Sequence, residues 1–98
     1  MVRHIVIFTL KGTPEERLEL SRSFRDALVK LPGVIPCLKS IEVGINENPA
    51  EKSDVVLTAT VPTMADVAAY ATHPAHVAAA GLLKGHVENR SCVDYAVE

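Results

Sequence analysis

Arg3-His4-Ile5-Val6-Ile7-Phe8-Thr9-Leu10 is β-branched or aromatic at most of its positions and runs into Lys11-Gly12-Thr13, a turn signal, so it reads as a strand. Ile5 and Ile7 fall on one side of that strand, and Val6, Phe8 and Leu10 on the other, with His4 among the second set. A strand that is apolar on both sides belongs to a sheet with neither face in water. The rest of the chain is read outward from this constraint.

Thr13-Pro14-Glu15-Glu16 follows at once and has the form of a capping box with proline at the first helical position. A helix is expected from there to about Leu31, with Leu18, Leu20, Phe24, Leu28 and Leu31 on its apolar side and Pro32-Gly33 as its stop. Leu38 to Ile45 alternates as a half-buried strand, and Asp54 to Val61, rich in Val and Thr, is its expected antiparallel neighbour. Thr63-Met64-Ala65-Asp66 opens a second helix, which breaks at Thr72-His73-Pro74, restarts at Pro74 and fades at Gly81. Val87 to Val97 is the last strand. The order β-α-β-β-α-β defines an α+β, ferredoxin-like fold: one domain over residues 1–98, a four-stranded antiparallel sheet, and helices on one face. The uncovered apolar face requires a partner, and the simplest is a second copy packed sheet on sheet about a two-fold axis, closing a dimeric α/β barrel.

Composition bounds the function classes. Of 98 residues, 48% are hydrophobic and 22% charged, which excludes a disordered chain. A formal net charge of −2 without a Lys/Arg run argues against nucleic acid and membrane surfaces as partners. The apolar run Ile5 to Leu10 is too short for a secretory core or a membrane span, so a cytoplasmic location is expected. Cys37 and Cys92 lack paired spacing and are expected to be reduced. His73 and His76 have HxxH spacing, with His4 or His86 as a conceivable third ligand, but no carboxylate adjoins them, and no metal is expected there. The chain carries no Gly-rich phosphate loop, nucleophile elbow or cofactor fingerprint, so no cofactor is expected.

The densest chemical constellation is Tyr70-Ala71-Thr72-His73-Pro74-Ala75-His76-Val77. Proline disfavours the α region at the residue before it, which places His73 at a helix N-cap, Pro74 at N1 and His76 at N3. At N3 the positive end of the helix disfavours the imidazolium, leaving His76 neutral and able to accept a proton, while Tyr70 brings a weak acid to the same corner. A base and a hydrogen-bond donor facing one pocket can enolise a carbonyl compound and steady the oxyanion. A purely structural phenol–imidazole pair inside a small core stands beside that reading, as does a cap role alone for His73. His4 is either a satisfied core histidine or a pocket residue over an apolar floor.

Met1-Val2-Arg3-His4-Ile5-Val6-Ile7-Phe8, Ile41-Glu42-Val43-Gly44, the Tyr70 to Val77 segment and Val93-Asp94-Tyr95 together resemble the stress-responsive dimeric α/β-barrel (Dabb) family over nearly the whole chain. The resemblance implies a ferredoxin-like monomer whose sheet closes with that of a second subunit. It also implies a small-molecule pocket between helices and sheet, since the family includes plant polyketide cyclases that perform a cofactor-free aldol condensation. Their catalytic tyrosine and histidine match Tyr70 and His76, and a pocket histidine matches His4. A further pocket histidine falls at Asp54, a departure that makes the pocket more polar. Phe24 and Leu28 are assigned to its apolar wall, and Val56 and His73 are assigned to substrate binding. Arg90 and Cys92 share a face with Asp94 that points toward it. The implied function is a cyclase, aldol-type lyase or isomerase with His76 as base and Tyr70 as oxyanion donor. The rivals are a non-catalytic stress or binding module and a cofactor-independent monooxygenase of the same barrel, against which the absence of Trp counts. The resemblance further suggests a cation at loop carbonyls near Leu31 to Pro36, which no side chain there demands.

Overall fold

The computed structural model describes all 98 residues and contains β1 (Val2–Leu10), α1 (Pro14–Leu28), β2 (Ser40–Ile45), β3 (Val55–Val61), α2 (Met64–Thr72), α3 (Pro74–Ala80) and β4 (Val87–Ala96). The four strands lie in the order β2-β3-β1-β4, every neighbouring pair antiparallel. The sequence order and the spatial order together make the ferredoxin-like α+β fold, with β3 inserted between β1 and β2.

The turn into α1 is built as the sequence requires. Thr13 Oγ1 accepts from the Glu16 N–H at 3.2 Å, and Glu16 Oε1 accepts from the Thr13 N–H at 2.9 Å. Gly12 precedes them at φ 114°, where a Cβ would also lie 3.3 Å from Glu16 Oε1, so glycine serves both the backbone and the cap. The helix stops at Leu28, a turn earlier than the apolar spacing suggests, and Leu31 is buried from the loop beyond. Its inward row is Ser21, Phe24 and Leu28, while Leu18 remains 39% exposed. The i, i+3, i+7 line selects Ser21 because the helix leans on the sheet through Phe24 and Leu28, and Leu18 lies off that line.

Alternation on β1 puts Val2, His4, Val6 and Leu10 toward the helices, where they are buried. They meet Val55, Leu57, Ala59 and Val61 of β3, which are also buried and on the same face. The opposite face carries Ile5 and Ile7, paired across the sheet with Val93 of β4 and Val56 of β3, and Tyr95 beside Arg3. Ile7, Val93 and Tyr95 are 39%, 54% and 40% exposed, an apolar patch set among Arg3, Thr58, Ser91 and Glu42. Val56, assigned from the sequence to the pocket, therefore points away from it: one step in register separates it from Val55 and Leu57, and one step reverses the face.

The helices do not extend over β4. On its helix-side face Arg90 and Cys92 are exposed and Asp94 is half-buried. That uncovered edge beside α3 opens the site. No helix is long and apolar enough to cross a membrane.

Candidate functional site

The site begins at the break between α2 and α3. His73 has φ −62° and ψ 136°, outside the helical region, as a residue before proline prefers. Its Nδ1 accepts from the Ala75 N–H at 3.1 Å, so the ring is spent on capping α3. His73 is thus a structural cap, and it does not line the cavity described below.

The break lets the aromatic side chains on either side of it point inward. Tyr70, at the end of α2, is fully buried, and His76, at the third position of α3, stands against it with ring centroids 4.5 Å apart. The His76 Nδ1–H donates to the Ala71 carbonyl at 2.9 Å, which fixes the tautomer and leaves Nε2 with its lone pair. Burial pushes the His76 pKa below the ordinary imidazole value, partly offset by the Ala71 carbonyl, with His4 and Arg90 adding to the lowering. The neutral imidazole is thus favoured at position 76, with desolvation rather than the helix end as the main cause. Burial likewise pushes the Tyr70 phenol up to about 12, so it stays protonated near neutral pH. Its hydroxyl has no hydrogen-bond partner in the chain.

His4 reaches the same cluster from β1, its ring edge-on to Tyr70 with centroids 5.9 Å apart. On its far side the His4 Nδ1–H donates to Asp94 Oδ1, a residue directly opposite it on β4. Cys92 Sγ lies 3.6 Å from the same nitrogen. Asp94 orients the His4 ring, a task that its place on the helix-side face of β4 does not by itself reveal. The signal for it is strand alternation combined with the β1–β4 pairing, and only the second strand's register supplies the pairing.

Between sheet and helices lies a cavity of about 300 Å³. Val6, Phe8, Phe24, Leu57 and Leu83 give it an apolar floor, and His4, His76, Lys84 and Arg90 line it with nitrogen. Of the expected site residues the structure brings His4, Phe24, His76 and Arg90 together on this wall. Tyr70 packs behind His76 rather than lining the cavity. Cys92 is off its wall as well and sits beside His4. Leu28 is sealed in the core. Asp54 is elsewhere: it accepts from the Leu10 N–H at 2.7 Å and pairs with Arg17 at 3.1 Å, on a separate open polar groove beside α1. A carboxylate facing an unpaired backbone N–H and a guanidinium is held there, so Asp54 ties the end of β1 to α1. In the loop where a cation was suggested, the Leu31 carbonyl already accepts from the N–H groups of Val34 and Ile35.

Residues 2–97 match the stress responsive A/B barrel domain family, and the chain belongs to it. A dimeric protein of ferredoxin-like fold from Bacteroides fragilis NCTC 9343 is 43% identical over 98% of this chain and 95% of its own, with a TM-score of 0.94. A dimeric ferredoxin-like protein from Thermobifida fusca YX is 30% identical over 98% of this chain and 90% of its own, with a TM-score of 0.79. A hydroxynitrile lyase from Passiflora edulis shares the fold at 18% identity, covering 99% of this chain and 93% of its own, with a TM-score of 0.74. No curated protein matches the chain.

Two stability measurements check this geometry. An unpartnered buried hydroxyl costs about 1–3 kcal/mol, so Tyr70→Phe should leave the denaturant midpoint unchanged or raise it; a clear fall would mean that the hydroxyl has a partner in the folded protein. His76 has a folded pKa below its ordinary value of 6.5, so the stability that rests on its neutral form is complete above that pH and drains away as the pH falls through the folded value. His76→Gln should therefore show a shallower loss of stability below pH 6.5 than the parent in urea melts, and parallel slopes would contradict the assignment.

Proposed function

We propose that the chain is a homodimer with a small-molecule cavity in each subunit, and that it acts without a cofactor on an anionic carbonyl compound as a cyclase or aldol-type lyase or isomerase. The observation that carries this is the tautomer of His76: Nδ1 is committed to the Ala71 carbonyl, which leaves a neutral, unprotonated Nε2 on a residue that lines an apolar cavity. In this reading Nε2 takes the proton from the carbon next to a carbonyl, the C–H electron pair moves into the enolate, and the enolate carbon attacks a second carbonyl of the same molecule. The new C–C bond leaves an alkoxide, which recovers the proton from His76. Tyr70 packs behind His76 and off the cavity wall, so its protonated, unpartnered hydroxyl serves as donor to the oxyanion only when the ring turns toward the substrate. His4, held by Asp94, orients the substrate.

Arg90 and Lys84 bring two cations to a cavity that no unpaired carboxylate lines, which favours a substrate bearing a carboxylate. A chain of a few carbons carrying two carbonyls fits an apolar floor within about 300 Å³. The Passiflora lyase demonstrates that this fold can host a lyase, although its likeness to this chain extends to the fold alone. The dimer is supported by the apolar patch of Ile5, Ile7, Val56, Val93 and Tyr95 and by the two relatives described as dimeric.

The test is turnover on a panel of β-keto acids and linear β-polyketide acids. Loss of a positioned base or donor lowers kcat by roughly 10²- to 10⁴-fold, the fall expected for both His76→Gln and Tyr70→Phe. Unchanged turnover in both variants would refute these roles. A parent that binds such acids without converting them would identify a binding module instead. Sedimentation at micromolar concentration should show a dimer that Ile7→Lys converts to monomer, since a charge in the centre of a sheet-on-sheet interface is desolvated without a partner. A monomeric parent would overturn the assembly.

A further inference from the structure

His4, Cys92 and Asp94 come from opposite ends of the sequence and meet on one face of the β1–β4 pair. His4 and Asp94 are direct cross-strand partners, and Cys92, two residues before Asp94, projects from the same side. Their donor atoms form a small triangle: His4 Nδ1 to Asp94 Oδ1 is 2.5 Å, Cys92 Sγ to His4 Nδ1 is 3.6 Å, and Cys92 Sγ to Asp94 Oδ1 is 4.0 Å. Tetrahedral zinc with bonds of 2.0–2.3 Å separates its ligand atoms by about 3.4 Å. The two sulfur edges are already within about 0.6 Å of that spacing. The third must open by about 1 Å, which displaces the Nδ1 proton by a metal ion and asks for movement only from Asp94, a half-buried side chain on the strand that no helix covers.

We propose that His4, Cys92 and Asp94 form a three-ligand site for a borderline-soft divalent cation of the zinc class, with the fourth position open. One imidazole, one thiolate and one carboxylate supply mixed N, S and O donors, and the two anions neutralise the dication. Calcium and magnesium, which take oxygen ligands, do not match this set. Cys92 is exposed and gives the ion an entry path, while the buried His4 anchors it next to the cavity. The HxxH pair does not form this site, because His73 Nδ1 caps α3 and His76 Nδ1 holds the Ala71 carbonyl. The inference goes beyond the cyclase-type reading and does not depend on it, since its readout is optical rather than catalytic.

The experiment is a cobalt(II) titration of the reduced, metal-free full-length protein, followed by absorbance. One equivalent per chain should produce a thiolate-to-cobalt charge-transfer band in the near ultraviolet together with the visible bands of a tetrahedral ion, and zinc should abolish both. Cys92→Ser should remove the charge-transfer band, and Cys37→Ser should leave it intact. Asp94→Asn should weaken cobalt binding at least as much as the roughly 10- to 100-fold that losing an outer-sphere partner costs. Cys92 and Asp94 lie on the uncovered strand, so far-ultraviolet circular dichroism should show both variants folded. The proposal is overturned if no charge-transfer band appears, if the band survives Cys92→Ser, or if Cys37→Ser is the change that removes it.

Discussion

The central strand governs this molecule. β1 is hydrogen-bonded on both edges, to β3 and to β4, so its backbone has no freedom to slide without breaking two ladders at once. A one-residue slip would exchange the row of His4, Val6, Phe8 and Leu10 with the row of Ile5 and Ile7. The first row meets Phe24 and Leu28 of α1 and builds the cavity floor; the second presents the outer patch. Core, cavity and outer apolar patch therefore share one register. The tie from Asp54 to the Leu10 N–H holds the far end of that strand where the β1–β4 ladder shifts register.

A second constraint is the proline break at His73-Pro74. A continuous helix would carry residues 70 and 76 on faces about 120° apart, whereas a new axis at Pro74 allows both rings to face the sheet. Turning them inward has a thermodynamic cost. The imidazole loses its easy protonation, and the phenol sits without an acceptor. Both penalties point the same way chemically: burial makes a neutral base of His76 and a persistent hydrogen-bond donor of Tyr70. Groups held in states that cost stability are where a small core most often departs from pure packing.

The open flank at β4 explains why the polar residues gather there. α1, α2 and α3 cover the inner sides of the other strands, and β4 is left with Arg90, Cys92 and Asp94 facing a half-wet space. Charged and ionisable groups survive at that edge because water solvates their outer sides while the sheet fixes their inner ones. His4 is the hinge between the two environments, buried on β1 yet bonded to an accessible carboxylate.

Local chemistry along the chain determined the elements of this protein. The capping box at Thr13, the break at Pro74, the alternation of β1 and β3 and the turn glycines each act over a few neighbouring residues, so the order of strands and helices and the N-cap role of His73 were legible there. So was the side of β1 on which His4 lies. Tertiary structure decided what those local rules leave open, namely the pairing register and the reach of the helices over the sheet. Val56 fell on the far side by one step of register, Asp54 was drawn to Arg17 and the Leu10 backbone, Leu28 vanished into the core, and Tyr70 withdrew behind His76. Asp94 found His4 across a span of sequence that no local pattern bridges. Side-chain direction is a property of a few consecutive backbone dihedrals, whereas a partner for a buried polar atom is settled only when distant segments compete for the same low-dielectric space.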